Sequence, residues 1–553
     1  MAVATNGEPQ QGMEVRKVLI SDPINPLCVK ILNDAGIEVD ARDKVPMDEL
    51  VKIISDYDAL IVRSGTTVTA EVLAAGNLKI VGRAGTGVDN IDLDAATKAG
   101  TIVLNTPGGN TVSAAEHTCA MLQSLCRFIP QSNEKLRAGK FDRKGGMGVE
   151  LHGKTIGIIG LGRIGREVAK RMQAFDVKTI GYDPIMPKNV AAKFNIEAMD
   201  LDAVFAQSDF LTIHTPLTPQ TKGLLGEDAF KKCKKGFRVV NCARGGIIDE
   251  EALLIALNDG VCAGAALDVF QEEPPMDSPI SSKLIAHPLV IATPHLGAST
   301  KDAQVKVAVE IAESIVRATR GGALVGAVNA PKLVNAFSPE IKPYVALATK
   351  MGLIVSQVLG GDAFLATNST IQSISLFAKG DLIKDMADVL KNALLTGLMS
   401  KLSDDPVNLI NAHHYAKDLD FQINATGTDK IDDLPYKNVL SVSIDSADST
   451  HTYEGVVVAG APHLITINNF EIGAKPNGHV LFYSNYNTPG VLGKVAGVCG
   501  AHNLNIFDFN MGEENNKKVH MSVLNVESPV TQEALKDIQA IDGVLGVRYL
   551  DLE

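Results

Sequence analysis

The stretch TIGIIGLGRIGREVAK, residues 155–170, decides the fold of this chain. It has the pattern of a short apolar strand, a glycine turn with Gly160, Gly162 and Gly165 in the spacing G-x-G-x-x-G, and the start of a helix. The first glycine permits a tight turn, the second lets a pyrophosphate approach the backbone, and the third lets helix and strand pack closely. The free N–H groups of the helix N-terminus favour phosphate. We therefore predict a dinucleotide-binding turn here.

An acidic residue ends the next predicted strand. Asp183 closes TIGYD (179–183), at about the twenty-residue spacing at which a carboxylate accepts a hydrogen bond from the ribose 2′-hydroxyl. The same carboxylate would repel a 2′-phosphate, so the sequence predicts NAD rather than NADP.

A second glycine motif has to be excluded. GVELHGKT (148–155) matches the letters of a phosphate-binding P-loop, G-x-x-x-x-G-K-[ST]. A P-loop follows a strand and begins a helix, because the helix N-terminus completes the phosphate site. Here Thr155 begins a strand, and we do not predict nucleotide hydrolysis.

Strand-like apolar runs extend outward from the turn in both directions. Those from residue 155 onward are TIGIIG (155–160), TIGYD (179–183), FLTIHTP (210–216), FRVVNC (237–242), GAALDVF (264–270) and LVIATPH (289–295). Those before it are KVLISD (17–22), ALIVRS (59–64), LKIVGRAG (78–85) and TIVLNTP (101–107). Helical patterns separate the runs, which predicts an α/β protein with two parallel sheets and an active site in the cleft between them.

Two longer helices are predicted near the boundaries of the second sheet. One covers residues 111–128, with Ser113 and Glu116 spaced as a capping box, and the other runs from about 299 to 319.

The rest of the chain has a different organisation. A loop rich in Pro, Asn and Gly at 320–343 marks a boundary, and residues 344 to about 475 mix helix and strand patterns without a chemical motif. The tail has the order strand–helix–strand–strand–helix–strand, a ferredoxin-like βαββαβ pattern. It has few residues of catalytic type, so we expect a binding or assembly module.

Composition limits the classes of partner. At one domain per roughly 150 residues, the chain of 553 residues has room for three or four domains. Its net charge of −12 argues against a nucleic-acid or anionic-membrane partner. The 7 cysteines lie at no zinc-binding spacing, so we predict reduced thiols and no metal. Because the sequence contains no secretory or transit signal and no apolar run of about 18 residues, we expect a cytoplasmic protein.

Three residues of catalytic type follow strands of the second sheet. Arg244 lies in NCARGG, Glu273 in LDVFQEEPP and His295 in TPHLGAST. Each alone is an ordinary loop residue. Because the carboxyl ends of parallel strands meet at one edge, where ligands bind, we expect the three to converge beside the nucleotide turn. A base for a hydroxyl proton and a cation for an anionic substrate are what hydride transfer from an alcohol to NAD requires.

Six motifs together resemble the D-2-hydroxyacid dehydrogenase family over about residues 15–325. They are VGRAGTGVDNID (81–92), NTPGGNTVSAAE (105–116), the glycine turn with Asp183, NCARGGIIDE (241–250), LDVFQEEPP (267–275) and PHLGAST (294–300). The remainder is similar to the extension of long members of the family, which carry an intervening domain and an ACT domain.

The resemblance implies four domains. They are a discontinuous flavodoxin-like substrate domain (15–110 and 297–325), a Rossmann-type doubly wound NAD domain inserted in it (111–296), an α+β intervening domain (326–475) and a ferredoxin-like ACT domain (476–553).

The resemblance also implies roles for individual residues. His295 would exchange the hydroxyl proton, Glu273 would orient the imidazole and raise its pKa, and Arg244 would bind the substrate carboxylate and the developing carbonyl oxygen. The residues implied to contact NAD are Thr86, Gly160, Gly162, Arg163, Ile164, Gly165, Asp183, Thr215, Cys242, Ala243, Arg244, Asp268 and His295. Those implied to bind substrate anions are Arg63, Arg83, Gly85, Gly87 and Asn110.

The implied activity is exchange of a hydride between NAD and a small phosphorylated 2-hydroxy acid, 3-phospho-D-glycerate, at the start of serine biosynthesis. Two alternatives remain. One is the same fold acting on an unphosphorylated 2-hydroxy acid such as glyoxylate or 2-hydroxyglutarate. The other is a binding protein that uses this fold to sense NAD(H).

Regulation and assembly are implied by resemblance alone. Similar enzymes bind L-serine at an interface between two ACT domains, which here would involve Asn485, Asn487 and Asn505, although the serine-binding bacterial pattern has a histidine in place of Asn485. A homodimer or homotetramer is implied, with residues 111–128 and the stretch around Arg137 and Lys140 as candidate contacts.

Overall fold

The computed structural model describes residues 13–359, 371–403, 405–431, 434–447, 449–513 and 518–553. Its strands, in chain order, are β1 (Lys17–Ile20), β2 (Glu38–Ala41), β3 (Ala59–Val62), β4 (Ile80–Arg83), β5 (Ile102–Leu104), β6 (Thr155–Ile159), β7 (Lys178–Tyr182), β8 (Glu197–Ala198), β9 (Phe210–Ile213), β10 (Phe237–Asn241), β11 (Cys262–Leu267), β12 (Val290–Ala292), β13 (Ile371–Lys379), β14 (Gln422–Thr428), β15 (Val439–Ser446), β16 (Thr450–Val458), β17 (Ala461–Ile467), β18 (Phe470–Ala474), β19 (Gly478–Tyr486), β20 (Ile506–Glu513), β21 (Val519–Val526) and β22 (Val544–Leu552).

The α-helices are α1 (Leu27–Asp34), α2 (Met47–Ile53), α3 (Ala70–Ala75), α4 (Leu93–Lys98), α5 (Thr111–Arg127), α6 (Ile129–Arg137), α7 (Arg163–Gln173), α8 (Lys188–Ala192), α9 (Leu201–Gln207), α10 (Glu227–Lys232), α11 (Glu250–Asn258), α12 (Pro279–Ala286), α13 (Lys301–Thr319), α14 (Lys342–Leu359), α15 (Ala387–Met399), α16 (Ala412–Tyr415), α17 (Val491–Ala501) and α18 (Gln532–Gln539). Within the described ranges, no helix combines the length and the apolar character that crossing a membrane requires.

The first sheet is parallel, with the order β2-β1-β3-β4-β5, which is the flavodoxin-like order. Strands β3 and β5 are buried along their whole length, which is why their apolar runs were recognisable. Strand β2, with the sequence EVDA, was not predicted, because it is an edge strand with none of its residues buried.

The second sheet is parallel and has the order β12-β11-β10-β9-β6-β7-β8. This is the doubly wound order, with the direction of winding reversing between β6 and β9. The prediction of a doubly wound parallel α/β sheet is confirmed. The two-residue strand β8 was not predicted, since it is too short to show a pattern.

Helix α5 connects the two sheets, and its predicted capping box is wrong. The helix begins at Thr111 after Asn110, and Ser113 therefore lies inside the first turn. The Ser113 hydroxyl instead lies 2.7 Å from the hydroxyl of Thr300, the residue that caps α13. Helix α13 then returns to the first sheet, where Ile311 and Ile315 are fully buried in its core.

The third sheet, β14-β13-β15-β16-β17-β18, is covered by α14 and α15. The last sheet has the order β20-β21-β19-β22 with α17 and α18 on one face, which confirms the predicted βαββαβ unit. Its other face contributes Phe482 and Val523 to the core of the third sheet, beside Tyr453. This face is covered at β19, β21 and β22, whereas Phe507, Phe509 and Met511 of β20 are exposed.

Candidate active site

His295 and Glu273 form a hydrogen-bonded pair beyond the ends of β11 and β12. His295 Nδ1 lies 2.9 Å from Glu273 Oε2, and the backbone N–H of Phe270 donates to Glu273 Oε1 at 3.2 Å. Both side chains are partly exposed, by 50% and 39%, so the imidazole edge that carries Nε2 can be reached by a ligand. The strands end earlier than predicted: β12 stops at Ala292, and His295 lies in the turn that follows.

Electrostatics within the pair adjust both groups. The hydrogen bond that Glu273 accepts from His295 raises the pKa of His295 above its ordinary value, although burial and the charge of Arg244 act to lower it. Burial raises the pKa of Glu273, but the hydrogen bond and charge of His295 outweigh it and hold that pKa below its usual range. A carboxylate that accepts at Nδ1 fixes the tautomer and leaves Nε2 free to exchange a proton.

The turn that carries His295 is held from behind by Asp268. His295 has φ of +54°, a left-handed conformation that costs a non-glycine residue about 1–3 kcal/mol unless its surroundings impose it. The buried Asp268 carboxylate accepts from the backbone N–H groups of Leu296 at 2.7 Å and Gly297 at 2.8 Å. The N–H of His295 donates to the Asp268 carbonyl at 2.9 Å.

Arg244 reaches across the cleft to the first domain. Its Nε donates to Asp89 Oδ2 at 2.8 Å, and its Nη1 donates to the carbonyl of Ala243 at 2.6 Å. A Cβ on Gly87 would lie 1.7 Å from Arg244 Nη2, so only glycine leaves room for the guanidinium.

Arg63 and Arg83 lie at the ends of β3 and β4. The Nε atoms of both are buried and have no hydrogen-bond partner among the described residues. Burial lowers the pKa of Arg83 to about 10, with Arg244 and Arg63 adding to the effect. A Cβ on Gly85 would collide with Arg83 Nη1, 1.4 Å away. Buried, unpartnered cationic donors are what an anion site provides.

The glycine turn has the predicted strand–turn–helix geometry. Gly160 has φ of +93°, and a Cβ there would lie 2.6 Å from the carbonyl oxygen of His214. A Cβ on Gly165 would lie 2.1 Å from the Gly160 carbonyl oxygen, whereas one on Gly162 would meet no described atom within 4 Å. Helix α7 begins at Arg163 without a side-chain cap, so its first N–H groups remain available to a phosphate.

Asp183 lies directly after β7 and is tied to the same turn. One carboxylate oxygen accepts from the N–H of Leu161 at 2.8 Å, and the other accepts from Ile185 at 2.9 Å and Met186 at 3.1 Å. The carboxylate is thus fixed at the edge where a ribose would lie.

A cleft of about 920 Å³ separates the two sheets. The predicted residues that line it are Thr86, Gly87, Asn110, Arg163, Ile164, Thr215, Cys242, Ala243, Arg244 and His295. The Thr215 hydroxyl is buried without a hydrogen-bond partner in the described chain, and the Thr86 hydroxyl donates to Asn110 Oδ1 at 2.7 Å. Burial raises the pKa of the Cys242 thiol, so it is a packed cysteine rather than a reactive one.

Several of the predicted contact residues do not line this cleft, among them Arg63, Arg83, Gly85 and Asp183. Asp268 does not line the cleft, because its carboxylate is buried and used by the His295 turn. Asn505 precedes β20 at the end of the sheet near His479, whereas Asn485 and Asn487 lie at the opposite end of β19, next to His520. Since β20 runs parallel to β19, the three asparagines do not meet within one chain.

Two polar residues at this site were not predicted. Asp89, the partner of Arg244, had no signal beyond its position in GTGVDN. His117 lies 3.1 Å from Asp268 Oδ1 through its Nε2. It did carry a signal, since it falls between Ala114 and Met121 on the buried face of α5.

Comparison with protein families agrees with this architecture. Residues 119–297 match the D-isomer specific 2-hydroxyacid dehydrogenase, NAD binding domain, which confirms the predicted cofactor. Residues 340–468 match the D-3-phosphoglycerate dehydrogenase intervening domain, and 479–543 match the ACT domain.

Solved structures resemble the first half of the chain. A D-lactate dehydrogenase from Aquifex aeolicus, complexed with NAD and lactic acid, is 26% identical with a TM-score of 0.50 and covers 55% of this chain and 96% of its own. A glyoxylate reductase from Paecilomyes thermophila is 27% identical with a TM-score of 0.51 and covers 56% and 96%.

Relatives that cover most or nearly all of this chain share the name D-3-phosphoglycerate dehydrogenase. The D-3-phosphoglycerate dehydrogenase of Bacillus subtilis is 38% identical, covering 97% of this chain and 99% of its own. Its namesake in Methanocaldococcus jannaschii is 37% identical over 97% and 100%, and the one in Rattus norvegicus is 46% identical over 82% and 83%. The chain therefore belongs to the D-3-phosphoglycerate dehydrogenase family, in its long form with an intervening domain and an ACT domain.

Proposed function

We propose that this protein is an enzyme that oxidises 3-phospho-D-glycerate to 3-phosphohydroxypyruvate with NAD, the first step of L-serine biosynthesis, and that it also reduces other 2-oxo acids. The observation that carries the proposal is the 2.9 Å pair of His295 and Glu273, with His295 lining a cleft that Arg244 and the first residues of helix α7, Arg163 and Ile164, also line. The names of its full-length relatives supply the substrate.

The chain's residues divide the proton chemistry among them. In oxidation, neutral His295 takes the hydroxyl proton at Nε2 while the C–H hydrogen of the same carbon leaves as hydride. NAD held in the cleft would supply the acceptor for that hydride. Glu273 stabilises the imidazolium that forms, and Arg244 binds the carboxylate and the developing carbonyl oxygen. In reduction, protonated His295 returns the proton.

Residues on the cleft wall fit NAD. The uncapped N-terminus of α7 would hold the pyrophosphate, Asp183 would accept from the ribose hydroxyl, and the unpartnered Thr215 hydroxyl offers a further donor. The open space over Gly162 leaves room for a pyrophosphate.

The buried Nε atoms of Arg63 and Arg83 support a phosphorylated substrate. A carboxylate alone would satisfy Arg244, which leaves Arg63 and Arg83 with buried donors to pair. A phosphate at the far end of a three-carbon acid would supply the missing acceptors. We assign Arg63, Arg83, the turn of Gly85 and Gly87, and Asn110 to the substrate anions.

Purified protein with a panel of 2-hydroxy acids tests the proposal through the absorbance of NADH. We expect turnover with 3-phospho-D-glycerate and NAD, and a loss of on the order of 100-fold in His295→Asn with NADH binding retained. Turnover only of unphosphorylated acids would refute the substrate, and NADH binding without any turnover would indicate a sensor instead of an enzyme.

We propose that the ACT domain binds an amino-acid effector, with L-serine as the first candidate. Asn485 is buried and its amide donates to the carbonyl of Tyr486 at 2.7 Å, at the end of β19 that also carries Asn487. Asn505 would join this site only from a second chain. Isothermal titration with L-serine against an Asn487→Ala variant would test it, and equal heats from both proteins would refute it.

We also propose a homodimer or homotetramer in the cytoplasm. No residue of α6, all of which the structure describes, is buried. Ile129, Leu136, Phe141 and Met147 are exposed along this segment, which also carries Arg137 and Lys140. Such an apolar surface indicates a protein contact. Light scattering should show that Leu136→Asp combined with Phe141→Asp lowers the oligomer mass, and an unchanged mass would exclude this contact.

A further inference from the structure

His117 lies behind the active site and contacts two groups of the turn that carries His295. Its Nε2 is 3.1 Å from Asp268 Oδ1 and 3.2 Å from the hydroxyl of Thr293. That hydroxyl also donates to Asp268 Oδ1 at 2.5 Å. His117 belongs to α5, a different element from the strands β11 and β12 whose ends carry Asp268 and His295.

The protonation of this contact follows from the carboxylate. The pKa of Asp268 lies below its ordinary value, because the hydrogen bonds from His117, Thr293 and Leu296 together outweigh the raising effect of burial. An ionised carboxylate only accepts hydrogen bonds. His117 Nε2 therefore carries the hydrogen and lies within reach of two acceptors, the Thr293 hydroxyl at 3.2 Å and Asp268 Oδ1 at 3.1 Å.

The four donors on Asp268 surround the catalytic turn. Thr293 lies on one side of His295, and Leu296 and Gly297 lie on the other. His117 supplies the donor that comes from outside the turn. Helix α5 also contacts the far end of this loop, where the Ser113 hydroxyl meets that of Thr300. The helix thus contacts the loop and its support at two places, through Ser113 and, four residues later, through His117.

We propose that His117 is a positioning residue that holds Asp268 and, through it, the strained turn that presents His295 to the substrate. The reason is geometric, since a left-handed residue keeps its conformation only where several contacts impose it. Removing a buried donor lets the Asp268 carboxylate turn toward other partners, and the His295 ring moves with the backbone. A displacement of about 1 Å at a catalytic group costs on the order of 100-fold in rate.

A metal at the same place is the competing interpretation. His117 Nε2, Cys242 Sγ and a carboxylate oxygen of Asp268 all lie within 4.8 Å of one another. The hydrogen-bond interpretation is favoured because Asp268 already accepts from four donors and burial raises the pKa of the Cys242 thiol, which opposes the thiolate that a metal requires.

The test compares two substitutions of His117 with one control on the same helix. His117→Leu removes the donor, and His117→Gln keeps an amide N–H at a similar reach. Gln123→Leu is the matched control, because among the described residues the Gln123 amide donates to the Cys119 carbonyl one turn earlier on α5, at 3.3 Å, and to no other group. The inference rests on the proposed function, so the unsubstituted enzyme is assayed in parallel. If that enzyme shows no turnover the proposed function fails, whereas turnover in the parent with an equal kcat in His117→Leu refutes this inference alone.

We expect kcat to fall on the order of tenfold or more in His117→Leu and to recover to within about threefold of the parent in His117→Gln. The primary isotope effect on kcat with C2-deuterated substrate should increase in the leucine variant, because hydride transfer becomes slower relative to product release. The dissociation constant of NADH and the Tm should match those of Gln123→Leu.

Four results would overturn the proposal. The first three are a kcat unchanged in His117→Leu, a glutamine variant as impaired as the leucine variant, and a stoichiometric metal ion in the parent that mass spectrometry shows to be lost from His117→Leu. The fourth is a fall in kcat in His117→Leu that comes with weaker NADH binding or a lower Tm than in Gln123→Leu, since that would indicate a general structural role.

Discussion

His295 combines two features that a general base needs, a fixed tautomer and an accessible nitrogen. The carboxylate of Glu273 binds Nδ1 at 2.9 Å, and half of the side chain remains exposed. The exposure also means that the pair contributes little to stability, because solvent screens it. Its effect is on the charge state of the imidazole during turnover.

Glu273→Gln should move the pH profile of both reaction directions to lower pH. The carboxylate hydrogen bond is the largest contribution that raises the pKa of His295, and the amide removes its charge. Oxidation requires neutral His295, so its acidic limb follows the lowered pKa downward. Reduction requires protonated His295, so its alkaline limb moves downward as well.

The measurement is kcat/KM against pH, from about pH 5 to pH 9, in both directions. Glu272→Gln is the matched control, because it removes an adjacent carboxylate that is exposed. Limbs that stay in place, or that move apart, would show that another group is the one titrating.

At the scale of the element, two glycines in the turn between β6 and α7 are required for different physical reasons. A side chain at Gly165 would collide with the Gly160 carbonyl, whereas one at Gly162 would project into space free of described atoms. One glycine is therefore required by packing and the other by the ligand.

Gly165→Ala and Gly162→Ala should separate those two requirements. The first forces helix and strand apart and should destabilise the domain by about 1–3 kcal/mol, seen as a lower Tm. The second should leave the Tm unchanged and weaken NAD binding on the order of tenfold, because the methyl group occupies the space of the pyrophosphate. Each variant is the control for the other, and equal losses of Tm would contradict the assignment.

Local patterns predicted elements that are buried on both faces and missed those at edges. The apolar runs of β3 and β9 are entirely buried, so their composition marked them as strands. Edge strand β2 has the sequence EVDA, in which no residue is buried, so its composition does not mark it as a strand. It forms a strand because it pairs with β1. Ser113 matched a capping pattern, yet the chain enters α5 two residues earlier, at Thr111.

At the scale of the whole molecule, the cleft is crossed by the ion pair of Arg244 and Asp89. These residues are 155 positions apart and belong to the two sides of the cleft. The pair is partly exposed, so it contributes at most about 1 kcal/mol to stability. The ion pair instead orients Arg244, because it fixes the plane of the guanidinium with Nη2 beside Gly87.

Asp89→Asn should lower kcat/KM for the acid substrate by about tenfold, because Arg244 loses the charged acceptor that orients it. The direction is informative, since removing a negative charge from the cleft would by itself strengthen binding of an anion. Asp94→Asn removes the same charge from another point of the cleft lining and is the control. Steady-state kinetics that improve in both variants would exclude an orienting role for Asp89.

The last sheet is fixed to the third by its final strand. The backbone of Asp551 exchanges two hydrogen bonds with the side chain of Gln357 on α14, at 2.8 and 2.9 Å. Lys350 on the same helix donates to the carbonyl of Leu552. The last sheet therefore shares a core with the third sheet.

The sequence by itself determined the glycine turn, Asp183 and the presence of Arg244, Glu273 and His295 after consecutive strands. A strand–turn–helix motif is built from neighbours in the chain, and parallel strands bring their carboxyl ends to one edge whatever their spacing. Only the tertiary structure decided that Asp268 supports the catalytic turn from behind, that Asp89 orients Arg244, and that Asn505 lies away from Asn485. Those outcomes depend on contacts between segments far apart in the chain, where packing and burial, not local pattern, select the partner.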